Sequence, residues 1–204
     1  YGSNALLAVI NVVTKRGADI EGLELSGQVG SYRTTKGRVT YGQTLRNGPE
    51  ILVSGTHYRS DGPTLYFPEF DSPETGDGWV DNDDDQFENF VANMRWGDVS
   101  LLLAHTDRDK RLPTAPWGAV FGDKRARDWD KNMLVGLTYA RELSDTWAVN
   151  GRLAYSRYYY YGDWPSDYAE EGEDPDIVVN RERYRGRWWE AEAHVVGKPV
   201  DGHT

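Results

Sequence analysis

Oxygen donors form the densest group of residues able to do chemistry in this chain. Asp81-Asn82-Asp83-Asp84-Asp85 puts four carboxylates and an amide into one short run. Hard cations prefer several such oxygens, which makes Asp81, Asp83 and Asp85 candidate calcium ligands. The spacing lacks the glycine and distal glutamate of an EF-hand loop, and the competing reading is a solvated acidic loop. Residues 60–86 also contain Asp61, Glu69, Asp71, Glu74 and Asp77 and no Lys or Arg, and they carry most of the chain's net charge of -10.

Cations gather in the next segment, at Arg108, Lys110, Arg111, Lys124, Arg125, Arg127 and Lys131. They could meet phosphates or an anionic ligand, or they could pair with the acidic segments on either side. Aromatic residues are the third resource. Trp79, Trp117, Tyr160 and Trp164 are candidate ligand-stacking residues, because aromatic platforms suit flat or sugar-like ligands. The run Tyr158-Tyr159-Tyr160-Tyr161 also fits an interfacial girdle, where rings lie at the boundary between apolar and wet surroundings. His57, His105, His194 and His203 are scattered, with no metal-binding spacing, and no Ser/His/Asp grouping or phosphate loop stands out. No enzymatic activity is expected.

The chain has 204 residues and no Cys, so a disulfide framework and thiol ligands are excluded. The acidic balance argues against nucleic acid. No apolar run approaches the roughly 18 residues of a transmembrane helix. The dominant pattern has a period of two. Leu23, Leu25, Gly27 and Val29 alternate with Glu24, Ser26 and Gln28, and Val39, Tyr41 and Leu45 sit among polar neighbours. Such alternation marks strands with one apolar and one polar face. Six further strands are expected at Ile51–Arg59, Phe87–Trp96, Val99–Thr106, Asn132–Glu142, Trp147–Arg157 and Tyr184–Val196. In Trp188-Trp189, one ring falls on each face.

Tight turns are expected at Thr34-Thr35-Lys36-Gly37, Asn47-Gly48-Pro49, Gly97-Asp98 and Leu143-Ser144-Asp145-Thr146. Long links are expected at residues 60–86, 107–131 and 158–183. From the third strand onward, long and short links alternate, which places every long link at one end of the sheet. Outer-membrane barrels have this asymmetry, with short periplasmic turns and long external loops.

The opening residues, Tyr1-Gly2-Ser3-Asn4-Ala5-Leu6-Leu7-Ala8-Val9-Ile10-Asn11-Val12-Val13-Thr14-Lys15-Arg16-Gly17, closely resemble the end of the plug domain in TonB-dependent outer-membrane receptors. There, a Tyr-Gly-Ser-x-Ala segment leads into Gly-Val-Ile-Asn-Ile-x-Thr-Lys before the barrel begins. Leu7-Ala8 departs from the small glycines common in the family. Lys110-Arg111-Leu112-Pro113-Thr114-Ala115-Pro116-Trp117-Gly118-Ala119-Val120-Phe121 resembles a family loop of the form Lys-x-Ile-Pro-Thr-x-x-Tyr-Gly-x-x-Phe, with Leu112 for Ile and Trp117 for Tyr.

The resemblance implies an all-β fold, the first part of a transmembrane antiparallel barrel of about 22 strands. Residues 1–17 would be the C-terminal end of the plug and residues 18–204 the first eight barrel strands. The absence of an initial Met and the turn-like Lys198–Thr204 fit an internal piece of a longer protein. The function implied is uptake of a scarce ligand, such as a ferric siderophore, cobalamin or an oligosaccharide, across a bacterial outer membrane. Implied partners are outer-membrane lipid and lipopolysaccharide, whose phosphates the basic segment could meet, and the TonB complex acting through a segment upstream. Two alternatives compete: a complete eight-stranded barrel, and a soluble β-sandwich that binds carbohydrate with calcium in its acidic loop.

Overall fold

A computed structural model describes residues 13–73 and 75–197. Residues 1–12, which carry most of the plug resemblance, Glu74 and the turn expected at Lys198–Thr204 lie outside it. The described chain is all-β. Eight strands form one antiparallel meander: β1 (Gly22–Gly30), β2 (Thr34–Thr44), β3 (Glu50–Ser60), β6 (Asp85–Trp96), β7 (Val99–Arg111), β8 (Arg127–Ser144), β9 (Trp147–Asp167) and β10 (Ile177–Gly197). A separate hairpin, β4 (Leu65–Ser72) and β5 (Gly76–Val80), interrupts it. Each of the eight expected strands is present, in sequence order. β1 and β10 are the outer members of the sheet and are not paired with each other, so the described sheet is open.

Directly paired residues share a face, and following the register across the sheet separates two surfaces. The row Leu23–Tyr41–Val53–Ala92–Leu103–Val135–Tyr155–Trp189 is apolar on all eight strands. Three residues along each strand, on the opposite face, the row reads Ser26–Arg38–Thr56–Asn89–Thr106–Asn132–Tyr158–Gly186. The apolar face continues towards the short turns through Ile51, Met94, Leu101, Leu137, Leu153 and Ala191, and then Trp96, Val99 and Tyr139. Nothing described covers this face. Leu25 is 69 % exposed, Trp96 66 % and Trp189 68 %. Apolar surface this extensive marks an interaction surface, for a protein partner or a membrane.

The segment leading into β1 lies on the polar face. The Asn93 amide donates to Thr14 Oγ1 (3.2 Å) and to the Lys15 carbonyl (2.9 Å), and the Ala18 N–H donates to Glu50 Oε1 (3.0 Å). A 3₁₀ turn, Gly17–Asp19, follows. Gly17 is required by the close approach: a Cβ there would fall 2.3 Å from the Ile51 carbonyl, and one on Gly42 would fall 2.8 Å from that of Gly17. Thr40 and Leu52, both buried, lie on the same face.

Several sequence expectations require correction. The β1–β2 turn is at Ser31–Arg33, before the Thr34-Thr35-Lys36-Gly37 expected, and those four residues belong to β2. The turn uses Tyr32 and Arg33 at φ 57° and 53°, a primed hairpin turn without its usual Gly or Asn. Residues 60–86 are not a simple loop, because the β4–β5 hairpin occupies them. The link expected over 158–183 shrinks to residues 168–176, since β9 and β10 pair without interruption from Trp147↔Gly197 to Asp167↔Ile177. The link expected over 107–131 likewise shrinks to 112–126. In both cases backbone pairing outlasts the apolar alternation from which strand ends were read.

Candidate functional site

Beyond the apolar rows, β7, β8, β9 and β10 project as a sheet that is polar on both sides. On the face continuous with the polar side, Asp130 pairs with Tyr160, Asn132 with Tyr158 and Asp128 with Gly162, while Tyr184 and Glu182 on β10 pair with Tyr160 and Gly162. The Tyr160 hydroxyl donates to Asp128 Oδ1 (2.8 Å), and the Tyr158 hydroxyl donates to Asp130. The Tyr160 and Tyr184 rings lie 5.7 Å apart. Gly162 makes room for the group: a Cβ there would fall 2.6 Å from Trp164 Nε1 and 2.8 Å from the Tyr160 hydroxyl. Trp164 is 4 % exposed and its Nε1 donates to Glu182 Oε2 (3.4 Å).

Burial pushes the Asp128 carboxyl above the usual carboxylate range; the Tyr160 hydrogen bond opposes this, and the neighbouring Asp130 and Glu182 add to it. Burial, followed by the hydrogen bond to Asp130, pushes the Tyr158 phenol up to about 12. Burial and Asp128 move Tyr160 in the same direction. These phenols therefore stay protonated, as donors. Arg108 lies opposite Asp130 but forms two hydrogen bonds to Asp85, at 2.9 and 2.7 Å. What remains is a surface of carboxylate acceptors, hydroxyl donors and ring faces, suited to a hydroxyl-rich or cationic ligand and unfavourable to an anion.

A cap adjoins this surface. Trp117, 76 % exposed, meets Trp164 edge-on at 4.6 Å. Its backbone and that of Ala115 are left-handed, at φ 54° and 45°, conformations that non-glycine residues adopt at a cost. The Val120 N–H donates to the Pro165 carbonyl (2.7 Å), which ties residues 112–126 to the end of β9. Phe121 stacks on Phe70 of β4 at 4.2 Å. Asn82, 1 % exposed, donates to the carbonyls of Leu112 (3.3 Å) and Asp123 (3.2 Å).

The acidic run is zipped to the basic residues beside it. Asp81 pairs with Lys124 (2.9 Å), Asp84 with Arg111 (3.5 Å) and Asp85 with Arg108 (2.7 Å), and Asp83 pairs with Lys110. Lys124 holds the Asp81 carboxyl below its ordinary range. Among the described residues no three His, Asp or Glu side chains gather as metal ligands. Asp81, Asp83 and Asp85 each meet their own Lys or Arg, so in this arrangement the three carboxylates do not converge.

Of the ligand-stacking residues picked out in the sequence, Tyr160, Trp164 and Trp117 come together. Trp79 does not join them; it packs on Tyr66 at 5.0 Å. The tyrosine run divides between faces, with Tyr158 and Tyr160 in the cluster and Tyr159 and Tyr161 on the other side, paired with Arg185 and Arg183. Asp128, Asp130, Glu182 and Tyr184 escaped the sequence reading because polar residues on both faces give no contrast to follow. Asn82 was read only as an oxygen donor of the acidic run. The signal that could have found the cluster is Asp128-x-Asp130 and Tyr158-x-Tyr160, two period-two pairs. Comparisons of this chain with family models, curated proteins and solved structures give no match.

Proposed function

We propose that this chain is the end of the plug and the first eight barrel strands of a TonB-dependent outer-membrane receptor. The observation that carries the reading is the division of the meander into an uncovered apolar face and a polar face on which residues 14–18 lie. In a plugged barrel, the apolar face meets lipid, the polar face lines the lumen, and the chain from the plug reaches β1 from the lumen side. The alternating stretches Met133–Tyr139 of β8 and Trp147–Tyr155 of β9 then lie in the bilayer, the second matching the roughly nine to eleven residues of a strand that crosses the hydrocarbon. The unpaired edges of β1 and β10 are closed by further strands, because an open edge is untenable in lipid. A sandwich would cover its apolar face with a second sheet, whereas the second sheet here is the short β4–β5 hairpin, packed on residues 112–126.

The Asp128, Asp130, Glu182, Tyr160 and Trp164 cluster faces the lumen above the bilayer. Of the ligand classes the resemblance implies, it suits a neutral hydroxyl-rich one such as an oligosaccharide. Fractionation of cells making the intact protein tests the reading. It should sediment with the outer membrane, resist carbonate extraction, and react in whole cells with an impermeant thiol reagent at Asp77→Cys, Thr114→Cys and Glu171→Cys but not at Asp145→Cys. Labelling at Asp145→Cys, or a soluble protein, would overturn it.

A further inference from the structure

The apolar face ends abruptly on β10. Trp189, Ala191, Ala193 and Val195 lie on it, and the next four positions of the same face are Arg187, Arg185, Arg183 and Arg181. Register adds Arg157 beside Arg187, and Lys131 one strand further, paired with Tyr159. Tyrosine and tryptophan rings hold these cations in place: Arg185 and Arg157 lie 5.5 and 4.8 Å from the Tyr159 ring, and Lys131 lies 4.2 Å from that of Trp129. The carboxylates of this face are engaged elsewhere. Asp163 faces Arg127 and Arg181, and Asp107 faces Lys131. Arg157, Arg183, Arg185 and Arg187 have no carboxylate partner among the described residues, and Arg157 Nε is buried without an acceptor. Farther from the apolar rows the same face hollows into a cleft of about 290 Å³ between Arg111, Arg125, Arg127 and Arg181.

We infer that this outward face binds the phosphorylated headgroup of an outer-leaflet glycolipid, with its phosphates on Arg183, Arg185, Arg187 and Arg157 and its acyl chains along Trp189 to Val195. Guanidinium forks match phosphate oxygens in pairs. Two features select a lipid over a free anion: the cations form a ladder and not a closed cup, and they start where the apolar rows stop. The inference rests on the outer-membrane reading above and concerns the opposite face from the ligand cluster.

The test uses the intact purified protein in neutral detergent and native mass spectrometry, with bisphosphorylated lipid A and its dephosphorylated form as probes. Wild type should retain the phosphorylated form about tenfold over the other, as expected for charge-assisted contacts. R183A/R185A/R187A should lose that preference, the corresponding triple Lys variant should keep only part of it because an ammonium lacks the guanidinium fork, and R38A/R152A, which removes polar-face arginines, should keep most of it. Heat-dependent gel mobility reports folding of each variant, and R157A gives a milder second probe if the triple Ala variant fails to fold. Equal retention by wild type and the triple Ala variant would overturn the inference. So would equal retention of both lipids, or displacement by millimolar inorganic phosphate, which would indicate a free-anion site. Outer-membrane recovery of wild type is scored separately: its loss counts against the membrane reading, whereas recovery without lipid preference counts against this inference alone.

Discussion

Two halves of one sheet follow different rules. Near the short turns, β6 to β10 carry an apolar face and a polar face, and the apolar one is bare. Past Met133 and Tyr155 the same strands keep their pairing, but both faces become polar. The side that was apolar has its row of arginines, and the other side has carboxylates held by tyrosine hydroxyls. Backbone hydrogen bonding is indifferent to this change, because the ladder is satisfied whatever the side chains meet. The side chains report the medium on either side of the strand. A sheet can thus lose its apolar face without ending, and the part beyond carries the carboxylates, hydroxyls and arginines.

The largest effect that would break this comparison comes from placing a charge on the bare face. Leu137→Arg should destabilise the intact protein in bilayers by about 2–4 kcal/mol, whereas Thr138→Arg, one residue along and on the other face, should cost little. Equal losses in equilibrium unfolding would erase the distinction between faces. Next is the buried amide of the cap. Asn82→Ala leaves two carbonyls without their donor and should cost about 1–3 kcal/mol of local stability, read as faster amide exchange over residues 112–126. Trp117→Ala should be smaller still in stability, because the ring is mostly exposed, but should weaken binding of a neutral oligosaccharide roughly two- to tenfold. Unchanged binding would remove Trp117 from the site.

The smallest effect separates the two kinds of carboxylate by pH. Lys124 lowers Asp81, and Arg125, helped by a backbone N–H, lowers Asp123 against the opposing effect of burial. Their contribution is complete above the unfolded value, about 3.9, and fades as pH falls through the lower folded value. Asp128 has the opposite sign: its raised folded value means that protonation, beginning above about 3.9, relieves the repulsion from Asp130 and Glu182. On acidification, exchange at Leu112 and Val120 should accelerate only below about pH 4, after Asp128 has already titrated by carboxyl-resolved infrared spectroscopy. A single shared transition would contradict the division.

The legible part of the fold is the part whose two faces differ in polarity. Leu23, Leu25 and Val29 on β1, or Val135, Leu137 and Tyr139 on β8, announce their strands because each apolar residue has a polar neighbour. That contrast is lost in Arg181–Arg187 and Tyr158–Trp164, and there a long link was expected where β9 and β10 continue to pair. The β1–β2 turn was misplaced for a related reason: Tyr32 and Arg33 adopt positive φ without glycine, while Lys36-Gly37 has turn chemistry and lies inside a strand. Of the site, the rings were legible one by one. Their convergence on Gly162 depends on register between strands, which no local pattern encodes. The charge complementarity of the acidic and basic segments was legible as a possibility; the pairings Asp83–Lys110, Asp84–Arg111 and Asp85–Arg108 depend on how β6 and the residues before it align with β7, and Asp81–Lys124 depends on the fold of residues 112–126.

On the receptor reading, β8 passes from a lipid-facing alternation to a polar projection without a break in pairing. The most direct measurement is a nitroxide scan of β8, one label at a time from residue 128 to 140, in the intact protein reconstituted in bilayers. Accessibility to oxygen should peak at 133, 135, 137 and 139, accessibility to a water-soluble nickel chelate should peak at the residues between, and the oxygen peaks should vanish from 132 down to 128 while spectra remain those of an ordered strand. Uniform accessibility over 133–139, or an oxygen period of two extending to residue 128, would contradict it.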